Sequence, residues 1–451
     1  MDPILEIYKY AYGYPETEAV LFRDISMVIE PGECHCITGS TGVGKSTLLM
    51  AIQGVLPRGN ETGSIRICGN GSRQASGLVL QNPDTQILTK SIGAEVAFGL
   101  ENMNVAAKEM MPKVLKALQE AGLEFPIDRD SKKLSMGQKY RLILSSLLVM
   151  QPRLLMVDEP SGQLDAEGLA SLKLILKRLK SSGMGLLISE HRPQLFSDVV
   201  DVFWKFDGKG LLHRVENVPV TAANDFRGKK EQGKKDAVVS AKDLSVGDET
   251  GSVWSDVWSD VSFKVYPGEM VAVCGKNGSG KTTLMRCLTG AVTPQSGEIG
   301  IFGETPVPKN LRGRVGCLFQ DPSRQLFEDI VFREVAFQVR RSGNRQWKET
   351  ADAALNRCGI KHLEAVSPHK LSYGQQHLVA MAMVIAGEPE ILLLDDPFTG
   401  LDPEISEKIF RLLDWLREQN NTAVIVTTHH PEDGLLYDRR LVIREGSIFE
   451  E

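Results

Sequence analysis

The sequence predicts an α/β fold built twice over in one chain, on three observations. A glycine-rich segment, GSTGVGKST from Gly39 to Thr47, recurs as GKNGSGKTT from Gly275 to Thr283. Each copy follows a short apolar run, as a buried parallel strand would. Features unrelated in local sequence then repeat in the same order at nearly one separation: Lys281 − Lys45 is 236, Gln320 − Gln81 is 239, Gly374 − Gly137 and Asp395 − Asp158 are 237, and His429 − His191 is 238. So constant a spacing indicates duplicated domains and not a solenoid of short repeats. With 451 residues, each half is long enough to bury its own core.

The expected boundaries are a first domain over 1–216, a linker over 217–237 and a second domain over 238–451. Within each half the order reads strand, glycine-rich loop, helix, a polar and helical middle, then buried strands alternating with helices. Leu154 to Val157, Gly185 to Ser189, Met270 to Cys274, Ile391 to Leu394 and Ala423 to Thr427 are continuous apolar runs of strand length. Apolar residues at 111, 114, 115, 118 and 121 follow helical spacing, and Gly122 stands where that helix would end. Phe203 to Val215 alternates like a ribbon closing the first half. The linker carries Lys229, Lys230, Lys234 and Lys235 among small and polar residues, which reads as a solvated connector, with a basic site for acidic headgroups or nucleic acid as the alternative.

Composition bounds the class. An apolar fraction of 42%, a charged fraction of 24% and a net charge of −6 exclude disorder and exclude nucleic acid held by overall charge. Seven scattered cysteines, among them Cys34, Cys36, Cys274, Cys287 and Cys317 beside core strands or the loop helix, read as small buried apolar residues in a reducing compartment. Met1 to Tyr10 lacks the apolar core of a secretory signal. The longest apolar stretches, Leu142 to Met150 and Leu378 to Ala386, are about half the roughly 20 residues that span a bilayer. Action at a membrane would therefore require another chain to cross it.

The glycine-rich segments match GxxxxGK[ST], whose bare backbone amides wrap phosphate oxygens. The expected nucleotide cradle is Gly39, Ser40, Thr41, Gly42, Val43, Gly44, Lys45, Ser46 and Thr47, repeated as Gly275, Lys276, Asn277, Gly278, Ser279, Gly280, Lys281, Thr282 and Thr283. Lys45 and Lys281 would reach the β- and γ-phosphates, and the hydroxyls of Ser46 and Thr282 would meet Mg²⁺. Asp158 and Asp395 end buried strands, where α/β sheets bind ligands, and would hold Mg²⁺ through its water shell. The next acids, Glu159 and Asp396, would polarise the attacking water. ATP and Mg²⁺ are the expected cofactors of a hydrolase.

Five-residue motifs shortly before each acidic strand, Leu134-Ser135-Met136-Gly137-Gln138 and Leu371-Ser372-Tyr373-Gly374-Gln375, resemble the LSGGQ signature of the ATP-binding cassette family. Nearly the whole chain is similar to two fused nucleotide-binding domains of that family. The resemblance implies a RecA-like core in each half with an N-terminal antiparallel β subdomain and a helical signature subdomain. It makes Gln81 and Gln320 the Q-loop residues that meet the metal and nucleotide, Ser161 to Asp165 and Thr399 to Asp402 the D-loops, His191 and His429 the switch histidines, and Tyr14 the adenine platform. It also implies two composite ATP sites, formed by pairing of the halves within the chain. Site one would combine Lys45, Ser46, Gln81, Asp158, Glu159 and His191 with Ser372, Gly374 and Gln375. Site two would combine Lys281, Thr282, Gln320, Asp395, Asp396 and His429 with Ser135, Gly137 and Gln138.

Site two departs from the family pattern. Asp396 stands for the catalytic glutamate, one methylene shorter, and Met136 replaces a signature glycine, as Tyr373 does in site one. Asp243 to Gly251 offers no aromatic for adenine, leaving Trp254 or Trp258 as substitutes. Site one is therefore expected to be the more active. Gln81-Asn82-Pro83-Asp84, Glu95-Val96-Ala97-Phe98, Gln320-Asp321-Pro322-Ser323 and Glu334-Val335-Ala336-Phe337 look like the energy-coupling-factor group, which implies an importer of a vitamin or transition-metal ion. The implied partners are a transmembrane scaffold and a substrate-capturing membrane protein, with the chain at the cytoplasmic face of the cell membrane and no nucleic acid bound. The alternatives are another importer class, such as a fused sugar-importer ATPase, and a soluble twin cassette of translation or repair.

Overall fold

The structure is a computed structural model that describes all residues except 1, 16–19, 41, 68–75, 217–235, 251–252, 402, 429–436, 445 and 451; 248–250, 253–257 and 403 are described by backbone alone. The expected site residues Thr41 and His429, most of the expected linker and the Trp254 side chain lie outside that description. The chain divides into two compact units, Met1–Thr221 and Ala222–Glu451.

Unit 1 opens with β1 (Leu5–Gly13), β2 (Phe22–Ile29), β3 (Cys34–Thr38), α1 (Lys45–Gln53), β4 (Asn60–Ile67) and β5 (Ser76–Val79). It continues through α2 (Ile92–Asn102), α3 (Ala107–Glu120), α4 (Met136–Leu148), β6 (Leu154–Asp158), α5 (Ala166–Ser181), β7 (Gly185–Ser189), β8 (Val202–Phe206) and β9 (Leu212–Val215). A six-stranded sheet has the order β5-β6-β7-β3-β8-β9, parallel except for the β8–β9 hairpin. A separate antiparallel sheet has the order β2-β1-β4. Every residue of β6 and β7 is buried. Along β6, Leu155 and Val157 join one apolar cluster, with α4 and α5, while Leu154 and Met156 join another, with α1 and the small sheet. Covering both faces is what a continuous apolar strand requires. A third cluster ties α2, α3 and α4 through Val96, Leu118 and Leu142.

Unit 2 repeats the plan with β10 (Val239–Thr250), β11 (Val253–Val265), β12 (Met270–Gly275), α6 (Lys281–Leu288), β13 (Ser296–Ile301), α7 (Pro308–Leu311) and β14 (Val315–Leu318). There follow α8 (Val331–Arg341), α9 (Trp347–Arg357), α10 (Tyr373–Ile385), β15 (Ile391–Asp395), α11 (Pro403–Asn420), β16 (Ala423–Thr428), β17 (Arg439–Arg444) and β18 (Ser447–Glu450). Its sheets are β14-β15-β16-β12-β17-β18 and β11-β10-β13. The duplication reaches the irregularities. Gly63 and Gly297 face bulges in β1 and β10, where a Cβ would stand 2.3 Å from the carbonyl oxygens of Lys9 and Asp243 respectively.

The expected α/β architecture with a small antiparallel sheet and a helical middle is what each unit has. The helical stripe needs a correction. In α3, Val114 and Leu118 are buried with Ala121 just beyond, but Met111 and Leu115 are exposed because the helix covers its neighbours with one narrow face. Among the described residues no helix is long and apolar enough to cross a membrane.

Candidate active site

Each glycine-rich loop joins a central strand to the helix beginning at its lysine. Gly44 and Gly280 cap α1 and α6 at φ of 105° and 94°, left-handed values that an L side chain rarely adopts. Gly42 and Gly278 also have positive φ, and a Cβ at either would meet nothing within 4 Å, so each lies beside open space. The Lys45 ammonium folds back over its loop, donating to the carbonyl oxygens of Gly39 at 2.9 Å and Ser40 at 3.1 Å. Lys281 does the same to Gly275 at 2.7 Å and Lys276 at 2.9 Å. Open glycine loops with a buried lysine at the helix start fit a polyphosphate.

Both acidic strands end alike. In unit 1 the Ser46 hydroxyl bonds Asp158, and Ser189 at the end of β7 donates to Oδ1 of the same carboxylate. In unit 2, Thr282 donates to Asp395 Oδ2 at 2.9 Å and Thr427 donates to Oδ1 at 2.6 Å. Burial raises the Asp158 carboxyl, the Ser189 bond opposes this, and the charge of Glu159 adds to the rise. A buried carboxylate beside a hydroxyl, with its charge disfavoured by its surroundings, is a donor set that suits a hard divalent cation. Ser189 and Thr427 were not anticipated from the sequence, although each is a polar residue closing an apolar strand.

The next acid is held in an unusual backbone conformation in both units, with φ of 46° at Glu159 and 49° at Asp396. The Glu159 amide donates to Ser189 O at 3.0 Å, and that of Asp396 to Thr427 O at 3.1 Å. In unit 1, three of the expected site residues meet on the Glu159 carboxylate: Gln81 Nε2 donates to Oε2 at 2.9 Å, His191 Nε2 lies 2.7 Å from Oε1, and Lys45 Nζ lies 3.3 Å from Oε1. A carboxylate only accepts, so the short contact assigns the imidazole proton to Nε2. Buried His191 Nδ1 has no partner among the described residues. Burial would raise the Glu159 carboxyl, but the His191 bond and charge, followed by Lys45, hold it below the ordinary glutamate range. Adjacent carboxyls are thus driven in opposite directions.

In unit 2 the Q-loop residue stands differently, and His429 lies outside the described residues. Gln320 is exposed, and its backbone carbonyl accepts from the Tyr373 hydroxyl at 3.2 Å. Asp396 is buried.

The signature motifs start α4 and α10. Ser135 with Gln138, and Ser372 with Gln375, form complete capping boxes. Met136 and Tyr373 occupy the first helical turn position, which requires no glycine. Helix geometry leaves the amides of Met136 and Gly137, and of Tyr373 and Gly374, without intrahelical acceptors, which suits an anion. Gly137 has room, its Cβ meeting only Leu164 at 3.9 Å, whereas at Gly374 a Cβ would stand 2.2 Å from Ile405 Cδ1.

Of the candidate adenine platforms, Tyr14 is half-buried with its hydroxyl 3.1 Å from Thr47 Oγ1 and its ring edge-on to Tyr12. Tyr10 and Tyr12 are core residues. Trp258 is fully buried in the unit 2 core, which removes it as a stacking surface.

The family model described as ABC transporter matches residues 22–162 and 258–399. A relative from Methanosarcina mazei, provisionally named an ABC transporter ATP-binding protein, is 31% identical over 99% of this chain and 88% of its own length. A Bacillus subtilis relative provisionally named an HMP/thiamine import ATP-binding protein, YkoD, is 26% identical over 96% of this chain and 88% of its own. The solved structure of cbiO1 from Clostridium perfringens, described as part of the ABC transporter complex cbiONQ, is 31% identical, covering 48% of this chain and 88% of that one at a TM-score of 0.43. The twin phosphate loops, paired acidic strands and signature helices agree with the family match and the Methanosarcina mazei relative: the chain belongs to the ABC transporter family, as two ATP-binding cassettes of an ATPase in one polypeptide.

Proposed function

We propose that this chain is the energy-coupling ATPase of a membrane importer of the energy-coupling-factor kind, carrying vitamin or transition-metal cargo. A transmembrane scaffold and a substrate-capturing membrane protein would hold it at the cytoplasmic face of the membrane. The import reading is supported by the relative whose name specifies HMP/thiamine import. Large apolar side chains exposed near each Q-loop, Leu88 and Phe98 in unit 1 and Phe319 and Phe327 in unit 2, suit the docking of a membrane partner's helices.

The catalytic reading rests on the convergence of Lys45, Gln81 and His191 on Glu159. Held ionised, Glu159 orients a water and takes its proton as the water attacks the γ-phosphate. Lys45 exchanges its loop carbonyls for phosphate oxygens, and His191, freed from Glu159, contacts the γ-phosphate. Ser46 and Asp158 in one unit, and Thr282 and Asp395 in the other, would hold Mg²⁺, with Gln81 and Gln320 completing its surroundings. The chemistry that Mg²⁺ supplies when bound is neutralisation of phosphate charge. The signature of the opposite half completes each site, Ser372, Gly374 and Gln375 for site one and Ser135, Gly137 and Gln138 for site two, so ATP joins the halves and its hydrolysis releases them. Site one is the faster.

Steady-state turnover of Glu159→Gln and Asp396→Asn tests the asymmetry. A positioned general base contributes on the order of 100-fold or more, so Glu159→Gln is expected to lose at least ~100-fold. Asp396, one methylene shorter and so displaced by about 1 Å, has less to lose in Asp396→Asn. Equal losses refute the asymmetry. Purification from membranes should bring integral membrane proteins with this chain, and recovery on ribosomes instead would refute the importer reading.

A further inference from the structure

Glu190 is a buried acid, 1% exposed, between the end of β7 and His191, and it has no part in the chemistry above. Its carboxylate accepts four hydrogen bonds. Oε1 takes the Ser161 hydroxyl at 2.8 Å, the His191 amide at 2.8 Å and the Arg192 amide at 3.2 Å, and Oε2 takes the Ser161 amide at 3.2 Å. Ser161 lies two residues beyond Glu159, in the turn that gives Glu159 its positive φ. One carboxylate therefore braces the turn that presents Glu159 and the turn that presents His191, the two side chains that meet at 2.7 Å.

The second unit carries other residues at these positions. From the acidic strand onward the units align without a gap, Asp396 − Glu159, Phe398 − Ser161 and Leu401 − Leu164 each being 237. At the next strand Thr427 − Ser189, Thr428 − Glu190 and His429 − His191 are each 238, so Phe398 stands at the Ser161 position and Thr428 at the Glu190 position. Thr428 has one hydroxyl oxygen where Glu190 has two carboxylate oxygens, too few lone pairs for four donors. Phe398, at the Ser161 position, has no hydroxyl to donate. Acid and hydroxyl donor occur together in unit 1 and are both replaced in unit 2, which marks Glu190 and Ser161 as a built pair.

We infer that Glu190 is a positioning residue for ATP hydrolysis, one that fixes the Glu159–His191 pair from behind without touching the nucleotide. The inference rests on the reading of Glu159 as the acid that activates water. In that reading the brace is a further reason for site one to be the faster.

The test is ATP turnover and thermal stability of the full chain carrying Glu190→Thr, the residue of unit 2, beside Glu190→Gln, Ser161→Ala and Glu159→Gln. Releasing the pair by about 1 Å is expected to lower kcat by roughly ten- to a hundredfold in Glu190→Thr, with KM for ATP within about twofold. Glu190→Gln keeps an oxygen where Oε1 accepts three of the four bonds, and should recover kcat to within about threefold of the parent. Ser161→Ala, which removes one hydroxyl, should lose a few-fold in kcat at unchanged KM. The inference is overturned if Glu190→Thr turns over normally, or if kcat, KM and melting temperature fall together in Glu190→Thr and Glu190→Gln alike. Should Glu190→Thr not fold, an unaltered kcat in Ser161→Ala overturns it. Full activity in Glu159→Gln would instead bring down the underlying site reading, whereas loss there with normal Glu190→Thr removes only the brace.

Discussion

Gly374 and Gly137 occupy the same place in the two signature helices, yet an added methyl group should act oppositely at each. At Gly374 a Cβ would lie 2.2 Å from Ile405 Cδ1 on α11 and 3.6 Å from Cγ1; at Gly137 the nearest atom is 3.9 Å away. Carbon atoms rest about 3.5–4.0 Å apart, so the Gly374 methyl overlaps its neighbour by more than 1 Å and Ile405 must leave its rotamer or α10 must shift. Such overpacking costs about 1–3 kcal/mol, against which a Gly→Ala change in a helix contributes roughly 0.5–1 kcal/mol. Gly374→Ala is therefore expected to destabilise unit 2 by about 1–2 kcal/mol, and Gly137→Ala to be neutral or to stabilise unit 1 by up to about 1 kcal/mol. Ile405→Val deletes the offending Cδ1. Alone it should cost about 0.5–1.5 kcal/mol, and combined with Gly374→Ala it should restore most of the loss, a coupling of about 1 kcal/mol or more. Urea unfolding followed by tryptophan fluorescence reads unit 2 directly, since Trp254, Trp258, Trp347 and Trp415 are four of the five tryptophans. Additive effects in the double variant, or a Gly374→Ala as benign as Gly137→Ala, would refute the packing argument.

Further outcomes follow from the site. The folded-state value of Asp158 is raised by burial, so its ionisation opposes folding at neutral pH and ceases to do so once pH falls below the unfolded value of 3.8. Asp158→Asn should accordingly raise the unfolding midpoint of nucleotide-free protein near pH 7, lose that advantage below pH 4, and abolish Mg²⁺-dependent turnover; a destabilised variant at pH 7 contradicts this. Glu159 runs the other way: its lowered value contributes stability above the ordinary glutamate range that disappears as pH falls through the folded value, so Glu159→Gln should flatten the acid limb of a stability–pH profile. Tyr14→Ala should weaken ATP binding by roughly two- to tenfold, the worth of one aromatic stacking contact, measured by titration with a fluorescent ATP analogue. Trp258→Ala should cost about 3–5 kcal/mol of unit 2 stability, and a change confined to nucleotide affinity would contradict its place in the core.

Much of this molecule is legible along the chain because its chemistry is local. A phosphate loop needs glycines at fixed offsets, a parallel strand covered on both faces needs an unbroken apolar run, and an acid at a ligand-binding sheet end needs the end of such a run; Gly39 to Thr47, Leu154 to Val157 and Asp158 each satisfy their requirement within a few residues. Amphipathic spacing was less informative. Met111 and Leu115 match the helical stripe of α3 as well as Val114 and Leu118 do, and only the neighbours decide which are covered. Trp258 reads as a free aromatic in sequence and is a core residue in the fold.

The sequence by itself determined two α/β cassettes, their phosphate loops and the acids at the ends of their sheets, because each depends on residues adjacent in the chain. The tertiary structure alone decided which side chains meet. Gln81, His191 and Lys45 reach Glu159 from a loop, the end of a strand and a helix start separated by as many as 146 residues. Ser189 and Thr427 hold Asp158 and Asp395 from the neighbouring strand, through the register of parallel pairing. Glu190 shows the difference most clearly. In sequence it is one more acid beside a histidine, and its role depends on a turn 29 residues away folding back to give it Ser161.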